Sequence, residues 1–447
     1  MEKSQQTTSK LTLFALTWPI FVEILLHMLM GNVNTMMLGK YSDDAVAAVG
    51  VATQVIGILI VIFGFVATGT SILVSQYLGA QQHTEARAAA VTAITLNTLF
   101  GVVMSLLVVF SAETLLGWMR LPDALMSLAL EYTIIVGIFL FFEAVMMTVS
   151  AIARAHGHTK WVMYVTLGMN VVNVFGCWLA LYQPFGLPSF GVTGVAVAIV
   201  VSRLIGLIGV LLILSWKVQM KLTIKGFLSP PTIYVRNLLR IGVPSAGEHM
   251  AYHTSQLMIT YFVTIVGAMA LTTKVYVQNV GLFLFLFSAA VGMGTQIIVG
   301  HMVGAGQMQQ AYQRCLRSLK LALAISIVVS LIFTLAAPHL FALFTENAEI
   351  IQLASIVMAL TMLLEPGRCF NLVIINSLKA AGDTKFPVIM GVISMWGISV
   401  PLAWYLGIYM DYGLIGIYIA FIVDEWLRGL IMFWRWRSRV WEQMSFV

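Results

Sequence analysis

Residues 17–23 read Thr17-Trp18-Pro19-Ile20-Phe21-Val22-Glu23, and 225 positions later residues 242–248 read Gly242-Val243-Pro244-Ser245-Ala246-Gly247-Glu248. Both stretches set a glutamate four residues after a proline, near the start of a long apolar segment. The same offset carries Gly69-Thr70, Ile72, Val74 and Gly79-Ala80 onto Gly294-Thr295, Ile297, Val299 and Gly304-Ala305, and Gly157, Thr159 and Lys160 onto Gly382, Thr384 and Lys385. After a slip of three residues, Gly191, Gly194 and Ala198 return as Gly413, Gly416 and Ala420. The chain is a duplication. In an apolar protein that predicts two helical bundles with a site where they meet, an architecture of carriers far more than of enzymes.

Lipid must be the solvent. Of 447 residues, 60% are hydrophobic and 9% charged, against about 25% charged in a soluble domain. Twelve apolar segments follow one another, at about 11–38, 49–78, 88–112, 125–153, 160–182, 190–215, 238–265, 273–300, 316–337, 347–379, 385–408 and 412–434. Each is long enough to cross a bilayer as a helix. The first is too long for a signal-peptide core and should stay attached. The predicted fold is an all-α membrane protein of 12 transmembrane helices in two six-helix, pseudo-symmetric lobes. Residues 1–215 form the first lobe, 216–237 a cytoplasmic linker, and 238–447 the second lobe with a cytoplasmic tail. Six spans per repeat is an even number, so the repeats run parallel about an axis along the membrane normal.

The net charge of +6 is distributed by side of the membrane, which argues against a nucleic-acid partner. Eighteen cations fall on the termini and even-numbered connections: Lys3, Lys10, Arg87, Arg154, Lys160, Lys217, Lys221, Lys225, Arg236, Arg240, Arg314, Arg317, Lys320, Lys379, Lys385, Arg435, Arg437 and Arg439. Only Lys40, Arg120 and Lys274 fall on the others. This bias places both termini in the cytoplasm. Phe433-Trp434-Arg435-Trp436-Arg437 reads as an interfacial aromatic belt with snorkelling arginines. Cys177, Cys315 and Cys369 lack metal-ligand or redox spacing and read as free thiols.

An ionised group in the hydrocarbon costs at least about 2.5 kcal/mol and needs a reason. Glu248 is the leading candidate for coupling. Tyr252, then Ser255 and Gln256, continue a polar stripe along its helix, and an unpaired carboxylate there would take a proton or a metal cation such as Na⁺. Glu23 holds the equivalent place. His27, one turn on, can share its proton as a relay, and Asn34 lies on the same face. Asp424 with Arg428, and Glu365 with Arg368, are spaced as local ion pairs, while Glu143 shows no local partner. Asn173, Asn371 and Asn376 are candidate cavity-lining amides, together with Asn170. Met30 and Met258 are candidates for an adaptable lining that accepts varied flat, greasy ligands. H-E-x-x-H, Walker, G-x-S-x-G and D-x-D patterns are absent, so uphill transport must draw on an ion gradient.

The repeated P-x-x-x-E, Asn34-Thr35-Met36-Met37-Leu38-Gly39 with Ala45-Val46-Ala47-Ala48-Val49-Gly50, and Gly382-Asp383-Thr384-Lys385 resemble the MATE (multidrug and toxic compound extrusion) family along essentially the whole chain, closest to its bacterial NorM-like branch. The resemblance implies antiport of H⁺ or Na⁺ against cationic amphipathic drugs, with Glu248 matching the family's seventh-span glutamate. It departs from the family at Asn34, where many members carry aspartate, and around Arg368 and Asn371, where the family's tenth-span aspartate has no acidic counterpart. With one clear carboxylate left, the reading leans to the proton. The expected protein is a monomeric multidrug exporter of a bacterial plasma membrane, using no cofactor beyond the coupling ion. The alternative is a flippase of lipid-linked polyisoprenoid precursors from the same superfamily, which would need a basic cavity for polyanionic headgroups.

Overall fold

The structure, a computed structural model, describes residues 12–119, 121–182, 189–220 and 231–447. Among these, helices account for almost everything: α1 (Leu13–Gly39), α2 (Asp43–Gly79), α3 (His83–Trp118), α4 (Asp123–Ile138), α5 (Leu140–Ala155), α6 (Thr159–Tyr182), α7 (Gly191–Trp216), α8 (Thr232–Val266), α9 (Ala268–Gly304), α10 (Met308–Ala342), α11 (Ala348–Ala380), α12 (Lys385–Tyr409) and α13 (Gly413–Arg437). Nine are single helices long and apolar enough to cross a membrane, and α4 with α5 makes a tenth span bent by 46°. The other two predicted spans are α8 and α13, 35 and 25 residues long. Their apolarity is diluted by Glu248 in α8 and by Asp424, Glu425 and Arg428 in α13. The two helices least suited to lipid both carry charges that need an explanation.

The chain forms two compact units. One comprises residues 18–78 and 82–242, the other residues up to Thr17, 79–81 and 243–447. The expected linker is shorter than predicted: α8 already begins at Thr232, and residues 221–230 lie outside the described ones, as do Lys3, Lys10 and Arg120. The division falls within α8, just before Pro244.

The core of the first unit is built from Leu38, Val49, Ile56, Phe63, Val136, Leu140 and Ile199, and that of the second from Ile259, Val263, Val277, Phe341, Val357 and Ile417. Because lipid is as apolar as these side chains, close fit and polar bonds must hold the helices together. The α3–α5 contact has both. A Cβ at Gly101 would stand 2.9 Å from that of Ala144, and Asn97 Nδ2 donates to Ala144 O at 2.8 Å and to Thr148 Oγ1 at 2.7 Å.

In α12, π-helical turns occupy Met395–Ser399 and Tyr405–Tyr409. Pro401 lies between them, and its missing N–H and its ring break the regular hydrogen-bond ladder. At the other end of the second unit, the predicted aromatic belt needs correcting. Trp434 is exposed, but Trp436 and Trp441 are fully buried and stacked 4.1 Å apart. Arg435 pairs with Asp383 at 2.7 Å instead of snorkelling, because the chain turns back through the 3₁₀ turn Val440–Gln443. All three cysteines are free and buried.

Candidate ion and substrate site

In the second unit, α8, α11 and α13 bring seven ionisable side chains together. Glu248 accepts a 2.6 Å bond on Oε2 from Lys379 Nζ, and only 15% and 8% of the two side chains is exposed. Lys379 stands in the last turn of α11, where the helix dipole favours a cation. Three turns earlier on the same helix, Arg368 bonds Glu365 at 2.6 Å and reaches Glu425 of α13 at 3.6 Å. Arg428 closes the group, with Asp424 at 2.8 Å and Glu425 at 3.0 Å, and lies within Coulombic range of Glu248. Polar neighbours finish the network: Asn371 Nδ2 donates to Glu425 Oε2 at 2.9 Å, and Ser394 Oγ to Asp424 Oδ1 at 2.5 Å. Tyr252 lies within Coulombic range of Arg368, Glu425 and Arg428.

Counting Lys and Arg alone, the balance is four carboxylates (Glu248, Glu365, Asp424, Glu425) against three bases (Lys379, Arg368, Arg428); His249, within Coulombic range of Glu248, joins the bases only when protonated. Glu365 Oε2 is buried and without a hydrogen-bond partner. An uncompensated buried carboxylate is costly, so one of the four has to bind a proton or face a cation. α12 meets Glu248 at Gly391, where an added Cβ would make ordinary van der Waals contact, 3.9 Å from Oε1.

The first unit holds a simpler set. Arg154, in the last turn of α5, bonds Glu23 of α1 at 2.6 Å, and Arg203 Nε of α7 lies 3.3 Å from Glu143 Oε2. Three sequence expectations are corrected here. Glu23 is not paired with His27: its Oε1 is taken by Arg154 and its Oε2 has no hydrogen-bond partner. A guanidinium that is always charged outcompetes a half-buried imidazole for the same oxygen. Nor is Glu143 without a partner, and Glu248 is not an unpaired carboxylate.

The remaining candidates scatter. Asn34 Oδ1 accepts from Cys177 Sγ at 3.6 Å, and Asn170 Nδ2 donates to Leu26 O at 2.8 Å. Asn173 is wholly buried with neither side-chain atom hydrogen-bonded, while Asn376 bonds back to Leu372 O in its own helix at 2.9 Å. Gln256 and Met30 are half-buried, and Met258 is exposed. The second-unit network thus gathers Glu248, Tyr252 and Asn371 but not Asn376.

Sequence reasoning overlooked Arg154 and Lys379, which it placed on cytoplasmic connections. The signal was present. Arg154 and Lys379 are themselves 225 residues apart, and each lies 131 residues after its glutamate. Lys274, placed on an outer connection, is also buried in α9 and donates to Thr260 Oγ1 at 2.7 Å.

Known proteins share this architecture. The sequence model of the MatE family matches residues 19–179 and 244–405, two segments that start 225 residues apart. The chain is 48% identical over 432 residues to the uncharacterized transporter YisQ of Bacillus subtilis, covering 97% of this chain and 95% of that one. It is 27% identical over 433 residues to the probable multidrug resistance protein NorM of Thermotoga maritima, covering 97% and 93%. Its fold matches a MATE crystal structure in the bent conformation with a TM-score of 0.89 at 18% identity, covering 97% and 95%. An outward-facing multidrug resistance MATE family transporter of the MOP superfamily gives 0.86 at 19% identity, covering 96% and 95%. With two matched segments in the positions of the internal repeat and relatives that cover its length, the chain belongs to the MATE family and is an integral membrane transporter of its NorM-like branch.

Proposed function

We propose that this transporter exports cationic amphipathic compounds in exchange for protons, with Glu248 as the coupling carboxylate. The observation that carries the reading is the acid excess of the largely buried cluster around α8, α11 and α13, four carboxylates to three Lys and Arg bases. Such a cluster favours one additional positive charge and repels an anionic headgroup. The naming of several relatives as probable multidrug resistance proteins supports the substrate class.

A proton fits better than Na⁺. Sodium asks for several oxygen ligands, and the Lys379 ammonium already occupies the approach to Glu248 Oε2. A proton needs only the carboxylate. In the cycle, an organic cation binds while the carboxylate is ionised, and protonation from the outside lowers its affinity and releases it. Deprotonation inside restores the site. The transporter works as a monomer in a bacterial plasma membrane with both termini cytoplasmic. The cation bias persists when the buried Arg154 and Lys379 are set aside.

Replacing Glu248 with Gln keeps the side chain's shape and removes its charge. Glu248→Gln should fold and lose proton-driven ethidium efflux from proteoliposomes. Efflux at the wild-type rate in that variant would remove Glu248 from coupling. Binding of anionic lipid-linked headgroups without any binding of ethidium would instead favour the flippase reading.

A further inference from the structure

The two halves of the duplication contain the same ion pair with one chemical difference. Glu23 pairs with Arg154 and Glu248 with Lys379, each at 2.6 Å and each across 131 residues of chain. Every partner maps onto its counterpart at the offset of 225. In both, a glutamate four residues past a proline in the first helix of the repeat is tied to the last turn of the helix preceding the Gly-x-Thr-Lys turn. The first pair uses a guanidinium, which is always charged and here bonds Glu23 through Nη1 to Oε1 alone. The second uses an ammonium, a point charge on a flexible stem. Their surroundings differ as well. Glu248 lies within range of the further cations Arg428 and, when protonated, His249, which itself faces Lys379 and His253. Gly391 places no side chain against its second oxygen.

We propose that Lys379 is the resident cation of the Glu248 site, which a transported organic cation must displace, and that the Glu23–Arg154 pair is a permanent latch. This rests on the reading of Glu248 as the coupling carboxylate, and it assigns the exchange to one half of the duplication. The lysine keeps the half-buried carboxylate ionised and compensated between substrates. Its compact charge on a flexible stem lets an incoming ammonium or aromatic cation take its place. Arg154, at the equivalent position, holds too firmly to be exchanged. Lys379 is thus a specificity-determining residue: it sets the threshold that an incoming cation must exceed.

Purified protein carrying Lys379→Arg, Lys379→Gln or Arg154→Lys tests this, with ethidium as the probe. Binding is measured by fluorescence in alkaline buffer, and thermal melting checks folding. Lys379→Arg should weaken ethidium binding by about tenfold, because the arginine locks the carboxylate as Arg154 does. Lys379→Gln should tighten it by a similar factor, because the internal competitor is gone. Arg154→Lys should leave it within about twofold of wild type. Opposite shifts from two substitutions at one position cannot come from misfolding. Equal shifts in the same direction, or no shift in either, would overturn the role of Lys379. A tenfold change from Arg154→Lys would overturn the latch. If the underlying reading of Glu248 is wrong, Glu248→Gln binds and transports ethidium like the wild type, a result separable from all of these.

Discussion

Arg428 serves two carboxylates at once, Asp424 at 2.8 Å and Glu425 at 3.0 Å, with only 7% of its side chain exposed. Truncating it strands two buried acids, and breaking a buried pair from one side costs about 3–5 kcal/mol. Arg428→Met should therefore lower the thermal midpoint of the detergent-solubilised protein sharply. Pairing the change with Glu425→Gln should recover part of the loss, because one stranded charge is removed. Additive losses in the double variant would show that the three groups do not act together. Residues of this kind were legible in the sequence, since i,i+3 and i,i+4 spacing is local. Glu248–Lys379 and Glu23–Arg154 were not, because a pair spanning 131 residues depends on which helices pack side by side.

At the scale of elements, the duplication conserves positions more faithfully than charges. Glu143 maps onto Arg368 at the 225 offset, and Arg203 maps onto Glu425 after the three-residue slip. Each half thus joins its fourth and sixth spans by a glutamate and an arginine at equivalent sites, 3.3 Å and 3.6 Å apart, with the polarity reversed. The fold accepts either polarity, provided the pair is complementary. Glu143→Arg alone should be strongly destabilising, by about 3 kcal/mol or more. The double exchange Glu143→Arg with Arg203→Glu should regain over half of that in a thermal melt. A double variant no better than the single one would contradict this. The sequence could not yield the pairing, because Glu143 and Arg203 sit on different helices and only the folded unit brings α5 beside α7.

The C-terminal segment is a second element whose character the sequence misjudged. Its tryptophans looked interfacial because aromatic and basic residues alternate there, yet Trp436 and Trp441 are buried. Gly382 makes that docking feasible: it has φ +98°, and a Cβ there would come within 2.0 Å of the Met444 carbonyl oxygen. Gly382→Ala combines left-handed strain of about 1–3 kcal/mol with that collision. It should release the last residues, read as faster tryptic cleavage after Arg437 and Arg439. An unchanged digestion rate would mean that the segment is held by other contacts.

Across the whole molecule, most of the architecture followed from two sequence features. The apolar periodicity marked the twelve spans, and the 225-residue echo marked the two repeats that the MatE model matches separately. Helix ends were less legible: α8 starts at Thr232 in what read as a linker, because Arg236 and Asn237 interrupt the apolar residues of its first turns. The central functional claim, exchange of protons for organic cations through a carboxylate already paired with a lysine, is a property of the complete transporter. The most direct measurement is ethidium efflux from proteoliposomes under an imposed pH gradient and, separately, an imposed Na⁺ gradient. Efflux driven by the pH gradient, no response to Na⁺ alone, and loss of the response in Glu248→Gln are the expected results. Efflux driven by Na⁺ alone, or no ethidium movement under either gradient, would contradict the claim.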